Sequence, residues 1–584
     1  MCGIFGVVGK QKNAAKVVFE GLKKLEYRGY DSWGIAVKKD GQLTRERHIG
    51  KIGGATTNLP DSNIGLGHTR WATHGGVTEG NAHPHLDCSG TLCLVHNGIV
   101  ENFLSLKEKL GDHKFESETD TEVALHLVEK LHKKNDLFAA LRQAYNQVTG
   151  MNAFIVFSSK KDELAAVKNG SPLIVGVGRG VNYISSDVWA LMPHTNKVIF
   201  LEDGQMVKLS SDTVTMVDAK TGKTLKPKIT TLNWKNQQSI LGKFHHYMEK
   251  EIYDQPKVLD SLAILSETTL KQIAGTIAKA PKTMFLGCGT ASYAAKFGEY
   301  LLNFRGFEAE GIVGTEFAKN IPLLNKKQCF IMLSQSGETI DVVSAVDTVK
   351  QHGIKVIGLT NVLGSTLYRK SDLKVLLQAG QEVAVASTKA FTAKLAILIQ
   401  LAYQLDGRLK AGKELIHQAS AAVTEIITGP IRKQIKSLSK ILKDSADMFA
   451  VGRGLSYPIA MEASIKVKEV SYIHAEAYPG GELKHGPIAL IDKGTPCIVL
   501  VPSDATYTDM ISAAHEMKAR GGLIIGIGTK RDLVFDHFLA VPDLKEATAI
   551  PMTTIVQLLA YDLAVDRGLN PDKPRNLAKS VTVK

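Results

Sequence analysis

The second half of the chain states one pattern twice. Phe285-Leu286-Gly287-Cys288-Gly289-Thr290-Ala291-Ser292-Tyr293 is matched about 165 residues later by Ala450-Val451-Gly452-Arg453-Gly454-Leu455-Ser456-Tyr457. At nearly the same offset, residues 331–334 parallel 498–501 and residues 356–359 parallel 524–527. Each copy reads strand, glycine-rich turn, helix, strand, helix, strand. Strands separated by helices run parallel and are covered on both faces, so the repeat predicts two doubly wound sheets. The Gly-x-Gly turns invite a dinucleotide. Neither copy completes G-x-G-x-x-G with a well-placed acidic residue, and no nucleotide cofactor is expected. A sharper signal is Leu333-Ser334-Gln335-Ser336-Gly337-Glu338-Thr339, which follows an apolar run. Hydroxyls, an amide and backbone N–H groups at a helix start can cradle a phosphate monoester. The plainer alternative is a helix cap; the phosphate reading is preferred.

The first residues carry a second constraint. In Met1-Cys2-Gly3-Ile4-Phe5-Gly6-Val7-Val8-Gly9 a cysteine follows the initiator methionine, and its small side chain permits removal of Met1. The residue would then hold a thiol and a free α-amine on one carbon. Unperturbed, such an amine has a pKa of about 7.7–8.0 and such a thiol about 8.5, so the amine can take the thiol's proton. Residues 4–8 read as an apolar strand that keeps the terminus from fraying. Alone, Cys2 reads as an incidental residue on a first strand; its surroundings change that.

From Cys2 to about Asn236, short β-type runs alternate with turns. Strands are expected at 34–38, 64–68, 91–96, 153–158, 198–201 and 206–209, with helices at Ala14–Leu25 and from Thr119 and Asp120 onward. This mixture predicts an α/β sandwich. Three polar clusters fall where strands end or helices begin: His68-Thr69-Arg70-Trp71-Ala72-Thr73-His74-Gly75, His96-Asn97-Gly98 and Ser117-Glu118-Thr119-Asp120. With Cys2 they supply what amide hydrolysis of a free amino acid needs. An arginine can clamp an α-carboxylate, an aspartate can hold an α-ammonium, and an asparagine amide with a glycine N–H can stabilise an oxyanion. Each has a structural alternative: Asn97-Gly98 a hairpin turn, Arg70 a surface salt bridge. For His68, His74, His83, His85 and His96, hydrogen-bonded structural roles are expected rather than metal ligation.

Composition narrows the class. A chain of 584 residues suggests three or four units. The apolar runs at 497–502 and 522–528 fall short of the ~20 residues of a bilayer crossing. No basic, apolar-cored leader precedes Cys2, so neither a membrane nor secretion is expected. Six thinly spread cysteines (Cys2, Cys88, Cys93, Cys288, Cys329, Cys497) suit reduced thiols in a cytoplasm. Cys88 and Cys93 lack CxxC spacing and a second pair, and no zinc site is expected. The net charge of +13 comes from scattered basic residues without a basic run. Nucleic acid is not expected; the excess suits a solvated surface, or attraction of small phosphorylated anions.

Together the motifs carry a resemblance. CGIFG at the terminus, YRGYDS at 27–32, HTRWATHG at 68–75, NAHPH at 81–85, HNG at 96–98 and SETDTE at 117–122 resemble the N-terminal-nucleophile glutaminase domain of glutamine amidotransferases. LSQSGET and the repeat resemble the sugar isomerase (SIS) fold. The order glutaminase, linker, SIS, SIS resembles the glutamine–fructose-6-phosphate aminotransferase (isomerising) family. That likeness continues through EVAVASTKAFT at 382–392, KVKE at 466–469, HAEA at 474–477, GELKHGP at 481–487 and PRNLAKSVTV at 574–583.

The resemblance implies an αββα glutaminase sandwich over 2–236, a linker over 237–256, doubly wound SIS subdomains over 257–425 and 426–570, and a tail, 571–584, contributing to the sugar site. It implies Cys2 as nucleophile and Asn97 and Gly98 as oxyanion donors. Arg70, Trp71, Thr73, His74, Gly98 and Asp120 would surround glutamine, with Trp71 gating ammonia. Thr290, Ser292, Ser334, Gln335, Ser336, Thr339, Val385 and Ser387 would hold the sugar phosphate. Lys579 would form an imine with the ketose and Glu469 would move a proton between C1 and C2. His485 would assist ring opening, reaching the neighbouring subunit's site, and Lys466 would support charge nearby.

The implied reaction is glutamine-dependent conversion of fructose 6-phosphate to glucosamine 6-phosphate with release of glutamate, the first step of hexosamine (UDP-GlcNAc) biosynthesis. It implies a cytoplasmic homodimer without metal or organic cofactor. Departures are Trp33 in place of a small residue, GCGTASY in place of CGTSY, and Lys584 where an acidic residue is common. The second leaves open whether Ala291 or Ser292 takes the loop serine's place. The lack of the long eukaryotic linker insert suggests a prokaryotic-type enzyme. The alternatives are a glutaminase-coupled SIS enzyme for another phosphosugar and a non-catalytic phosphosugar sensor. Retention of Cys2, Glu469 and Lys579 speaks against a sensor.

Overall fold

Directly after Cys2, Gly3–Gly9 forms a central strand of an eight-stranded antiparallel sheet, between Ile64–Arg70 and Val181–Ser185. All seven residues are buried, because both faces of the sheet are covered. On one face lies the Ala14–Leu25 helix, formed where its apolar spacing predicts. Gly21 lets it rest on the Phe5 ring, which a Cβ there would meet at 2.5 Å. On the other face, Ile4, Val8, Ile64 and Leu66 interlock with Val95, Ile155 and Phe157 of a seven-stranded antiparallel sheet. Each such buried side chain contributes ~1.5–3 kcal/mol. Phe103–Leu110, Asp120–His132 and Leu137–Tyr145 cover that sheet's outer face through Leu106, Val123, Leu127 and Leu141. The layers run helix, sheet, sheet, helix, the expected αββα sandwich.

The computed structural model describes residues 2–232 and 241–582. The chain folds into two compact units, Met1–Gln238 with Ala578–Lys584, and Ser239–Leu577. Lys584, the expected boundary at Asn236 and residues 237–240 of the expected linker lie outside the described residues.

In the second unit the repeat becomes two five-stranded sheets of one topology. Thr283–Gly287 lies between Ala309–Val313 and Cys329–Ser334, followed outward by Lys355–Thr360 and Leu373–Leu376, all parallel. Asp447–Gly452 likewise lies between His474–Pro479 and Pro496–Val501, followed by Leu523–Gly528 and His537–Ala540. One apolar core joins both sheets, Phe285 and Ile331 of the first and Ala450 and Ile498 of the second sharing it with the helices between them.

Two expectations change. Tyr247–Tyr253, inside the expected linker, is a helix whose Met248 and Ile252 are fully buried in this core. Apolar runs also understate the helix ending at Asp566. Residues Lys545–Asp566 are long and apolar enough to cross a membrane by length and composition, with a mean hydropathy of 1.3. Thr553, Thr554 and Gln557 interrupt the apolar run without ending the helix, and 94% of the apolar window is buried in the protein's own interior.

Candidate active sites

In the first unit, Cys2 is half-buried at the start of its strand. Its Sγ lies 3.4 Å from the Trp71 backbone nitrogen and 3.5 Å from the Trp71 carbonyl oxygen. The tryptophan's backbone, rather than its ring, meets the sulfur, and that N–H can stabilise a thiolate. The Cys2 carbonyl accepts from Asn97 Nδ2 at 3.1 Å and from Arg28 Nε at 3.3 Å. Arg28 is itself held by Asp187 at 2.7 Å. The Ile4 N–H donates to Ser186 Oγ at 2.9 Å, so the nucleophile's strand is pinned beyond its sheet bonds.

Asn97 is oriented from behind. Its Oδ1 lies 3.1 Å from His68 Nε2, which is also 3.0 Å from the His96 carbonyl. Two acceptors facing one ring nitrogen place the proton on Nε2, and burial lowers the His68 pKa to about 3, so the ring is neutral. With Oδ1 so engaged, Nδ2 points toward Cys2. Gly98 ends the strand Leu92–Gly98 opposite Asn152, so Asn97-Gly98 is not a hairpin turn. Gly98 has φ 138°, and a Cβ there would sit 2.1 Å from the Met151 carbonyl oxygen. Gly98→Ala is therefore expected to destabilise the first unit by about 2–4 kcal/mol. Chemical denaturation measures this, and a midpoint unchanged from wild type would contradict it.

Arg70 is buried and wraps its own loop, donating to the carbonyls of His74 at 2.5 Å, Gly75 at 3.0 Å and Gly76 at 3.0 Å. Burial lowers its pKa, opposed by the nearby Cys2, Asp31, Asp120 and Glu118. Asp120 accepts the Val100 N–H at 2.7 Å. His74 packs edge-on against Phe103, and Thr73 is exposed on the loop. The loop is clamped by a pair that residue type alone does not single out. Asn81 Nδ2 donates to Glu118 Oε2 at 2.9 Å, and that oxygen also accepts the Gly76 N–H at 3.2 Å. The other histidines form a neutral wall: burial lowers His83, His85 and His96, while His96 bonds Thr121 at 2.9 Å and Asn152 at 2.8 Å. Trp33 is absorbed by packing, stacked on His48 at 4.4 Å and edge-on to Phe19.

In the second unit the first sheet's strand order reverses between Thr283–Gly287 and Cys329–Ser334. Ligands of such sheets bind beyond the carboxyl ends of the strands at that reversal, where both candidate turns begin. Ser334 Oγ accepts the Gly337 N–H at 3.0 Å and bonds Thr339 Oγ1 at 2.9 Å, and Ser336 Oγ accepts the Glu338 N–H at 3.1 Å. Gln335 follows Ser334, and its carbonyl accepts the Asn361 N–H at 3.0 Å. Ser292 donates to the Gly289 carbonyl at 2.7 Å, which spends its single proton on the turn. The Ala291 side chain has no donor and the Thr290 hydroxyl bonds Glu462, leaving backbone N–H groups for an anion there.

Residues 382–390 are held from three sides. Glu382 accepts from Ser387 Oγ at 3.1 Å and the Thr388 N–H at 2.9 Å, and Glu251 accepts the N–H groups of Val383 and Ala384. The Val385 N–H donates to the Asp572 carbonyl at 3.0 Å, while the Asp572 carboxylate caps Tyr247 and Met248 at 2.8 and 2.7 Å.

Lys466 is wholly buried and donates to Glu469, with Glu462 one turn earlier on the Tyr457–Ser471 helix. Burial disfavours the lysine's charge, but Glu462 and Glu469 outweigh it and the pKa is raised. Burial lifts Glu462 to about 7 despite Lys466. Gln557 Nε2 donates to Glu462 at 3.3 Å, and Thr290 also hydrogen-bonds it. Tyr293 is pushed to about 12 by burial and by Glu462. The Gly287–Tyr293 turn thus reaches, through Thr290, Glu462 on the helix that carries the Lys466–Glu469 pair. Glu462 is the residue the motif reading misses; its only signal is its place four residues before Lys466. His485 is exposed on the turn Leu483–His485, with no hydrogen bond or ion pair to Lys466 or Glu469 among the described residues. Lys579 lies in Ala578–Lys584, which groups with the first unit.

The second copy's equivalent crevice is a cavity of about 500 Å³. Its turn, Val501-Pro502-Ser503-Asp504, sets a proline and a carboxylate where the first copy has donors.

This architecture defines a glutamine amidotransferase joined to a double phosphosugar-isomerase module. A glutamine amidotransferase domain matches residues 53–236, and an SIS domain matches 276–403 and 441–567. The chain is 40% identical to the glutamine–fructose-6-phosphate aminotransferase (isomerizing) of Thermococcus kodakarensis, 40% to that of Thermus thermophilus and 39% to that of Aquifex aeolicus, over 100% of each chain. The protein belongs to the glutamine–fructose-6-phosphate aminotransferase (isomerizing) family. Among solved structures, the C-terminal domain of glucosamine-fructose-6-phosphate aminotransferase from Francisella tularensis matches with a TM-score of 0.54 and 30% identity, covering 58% of this chain and 100% of that one. Tagatose-6-phosphate ketose/aldose isomerase from Escherichia coli shares the fold, with a TM-score of 0.50 and 18% identity over 57% of this chain and 97% of that one.

Proposed function

We propose that this enzyme transfers the amide nitrogen of glutamine to fructose 6-phosphate and isomerises the product to glucosamine 6-phosphate, releasing glutamate and opening hexosamine biosynthesis. The observation that carries the reading is the pairing, on one chain, of Cys2 facing Asn97 with a switch-point turn whose Thr290 bonds Glu462, on the helix that carries Lys466 and Glu469.

In the first unit, Cys2 Sγ attacks the glutamine side-chain carbonyl, and its own α-amine, free once Met1 is removed, takes the proton. Asn97 Nδ2 and the Gly98 N–H hold the oxyanion. Arg70 and Asp120 bind the α-carboxylate and α-ammonium, with Trp71, Thr73 and His74 closing the pocket. Ammonia leaves, and water releases glutamate from the thioester. In the second unit, Ser334, Gln335, Ser336 and Thr339 hold the phosphate end, while Thr290, Val385 and Ser387 shape the crevice through their bonds to Glu462, Asp572 and Glu382. The amine that forms the imine at C2 is assigned to Lys579 by the resemblance alone; ammonia replaces it, and Glu469 takes the proton from C1 and returns it to C2, with Lys466 balancing its charge. The exposure of His485 supports a role in ring opening at a second copy's site, in a homodimer. The chemistry requires no metal or organic cofactor.

Incubating the processed protein with glutamine and fructose 6-phosphate should yield glutamate and glucosamine 6-phosphate in equal amounts by NMR and mass spectrometry. Glutamate and free ammonia without amino sugar would overturn the reading. Asn97→Ala is expected to lower kcat for glutamate release about 10²–10³-fold, the usual cost of one oxyanion donor. A rise in KM with kcat unchanged would remove Asn97 from that role.

A further inference from the structure

We propose that Cys88, His113, His126 and Glu129 of the glutaminase sandwich form a binding site for a zinc-type divalent metal ion, distinct from the glutamine chemistry. The four come from three segments. Cys88 is on the turn before the strand Leu92–Gly98, His113 follows the helix Phe103–Leu110, and His126 and Glu129 share one face of Asp120–His132. Glu129 Oε2 is the hub, 2.8 Å from His126 Nδ1 and 3.7 Å from His113 Nε2. Cys88 Sγ lies 3.7 Å from the same His126 Nδ1. The Cys88, His126 and Glu129 ligand atoms all fall within 4.8 Å of one another. A tetrahedral zinc ion with its usual bond lengths separates such donors by about 3.3–3.6 Å. Small side-chain adjustments bring Cys88, His126 and Glu129 to that spacing, while His113, which approaches the set through Glu129 alone, has to swing inward.

The hydrogen bonds set the imidazoles for a cation. His113 Nδ1 lies 2.7 Å from the Leu110 carbonyl, which fixes its proton there. The lone pair is then on Nε2, a buried atom with no hydrogen-bond partner that faces the Glu129 oxygen. An acceptor facing an acceptor away from water is unfavourable unless a cation lies between them. His126, 99% buried at its side chain, turns Nε2 toward Glu122 Oε1 at 3.7 Å, also without a hydrogen-bond partner. Glu122 is fixed by the N–H groups of Glu116 and Ser117, each at 2.7 Å. A carboxylate behind an imidazole orients it for a metal and leaves the other nitrogen, here Nδ1, as ligand.

Protons on His126 and His113 are the alternative occupants of these two contacts with Glu129; the thiol of Cys88 beside them is what favours a metal ion. One thiolate, two imidazoles and a carboxylate favour zinc or cobalt over magnesium or calcium. Exposed Cys88 gives the ion an entry path. Weighing Cys88 only against Cys93, which is buried in its strand, hides this set; the i, i+3 pairing of His126 with Glu129 is its one local trace.

The test uses the full-length chain stripped with chelator, titrated with Zn²⁺ by calorimetry and with Co²⁺ by absorption. One equivalent of each should bind. The cobalt form should show tetrahedral bands and a thiolate charge-transfer band that Cys88→Ser abolishes. Cys88→Ser and His113→Gln should each weaken Zn²⁺ binding at least about 10-fold, and Zn²⁺ should raise the melting temperature of wild type but not of Cys88→Ser. No saturable binding at micromolar Zn²⁺, or binding unchanged in both variants, would overturn the proposal.

Discussion

Cys2→Ala is expected to reduce glutamate release from glutamine by about 10⁴-fold or more, because it removes the group that forms the covalent bond. The structure makes this a clean test. Among the described residues Cys2 Sγ hydrogen-bonds the backbone of Trp71, at 3.4 and 3.5 Å, while Asn97 and Arg28 bind the Cys2 carbonyl, which alanine keeps. The strand behind is held by Gly3, where a Cβ would lie 2.6 Å from Thr69 Oγ1. Little stability should be lost, within about 1 kcal/mol, and the variant should still bind fructose 6-phosphate by calorimetry. Glutamate release above about 1% of wild type in Cys2→Ala would mean that another nucleophile acts. Loss of both glutamate release and sugar binding would point to misfolding, and Cys2→Ser would then separate the two.

What the sequence discloses and what it hides follow from range. The Ala14–Leu25 helix, the strand after Cys2 and the repeated glycine turns are legible because their patterns are local, the strand being wholly buried and the helix burying one apolar face. The strand Gln42–Ile49 is not, since it lies at the sheet edge with no residue fully buried and so shows no apolar alternation. Nor is Tyr247–Tyr253, whose two buried apolar residues stand among charges within a polar stretch. Site residues divide the same way. Cys2, Asn97 and Ser334 belong to recognisable runs. Asn81 with Glu118, Glu251 with Val383, and Asp572 with Val385 act across 37, 132 and 187 residues, so no spacing reveals them. Ser292 shows the reverse case: its residue type suits a phosphate donor, but its proton goes to Gly289.

The sharpest test of the second unit is Glu469→Gln, which should leave glutamate release within a few-fold of wild type while lowering glucosamine 6-phosphate formation by about 10³–10⁴-fold. Glutamine keeps the shape and can still meet Lys466, but it cannot carry a proton from C1 to C2. Glu469 suits that task because 22% of its side chain is exposed, whereas its partner Lys466 is fully enclosed. Glu462 is less well placed, because its side chain is fully buried and bonded to Gln557 and Thr290. Removing the Glu469 charge still leaves Lys466 beside Glu462, so the helix should survive. The direct measurement is exchange of the C1 hydrogen of fructose 6-phosphate in deuterated water. Wild type should exchange it and Glu469→Gln should not. Exchange at the wild-type rate in the variant would move the proton transfer to another group, and Glu462→Gln would then be the variant to examine.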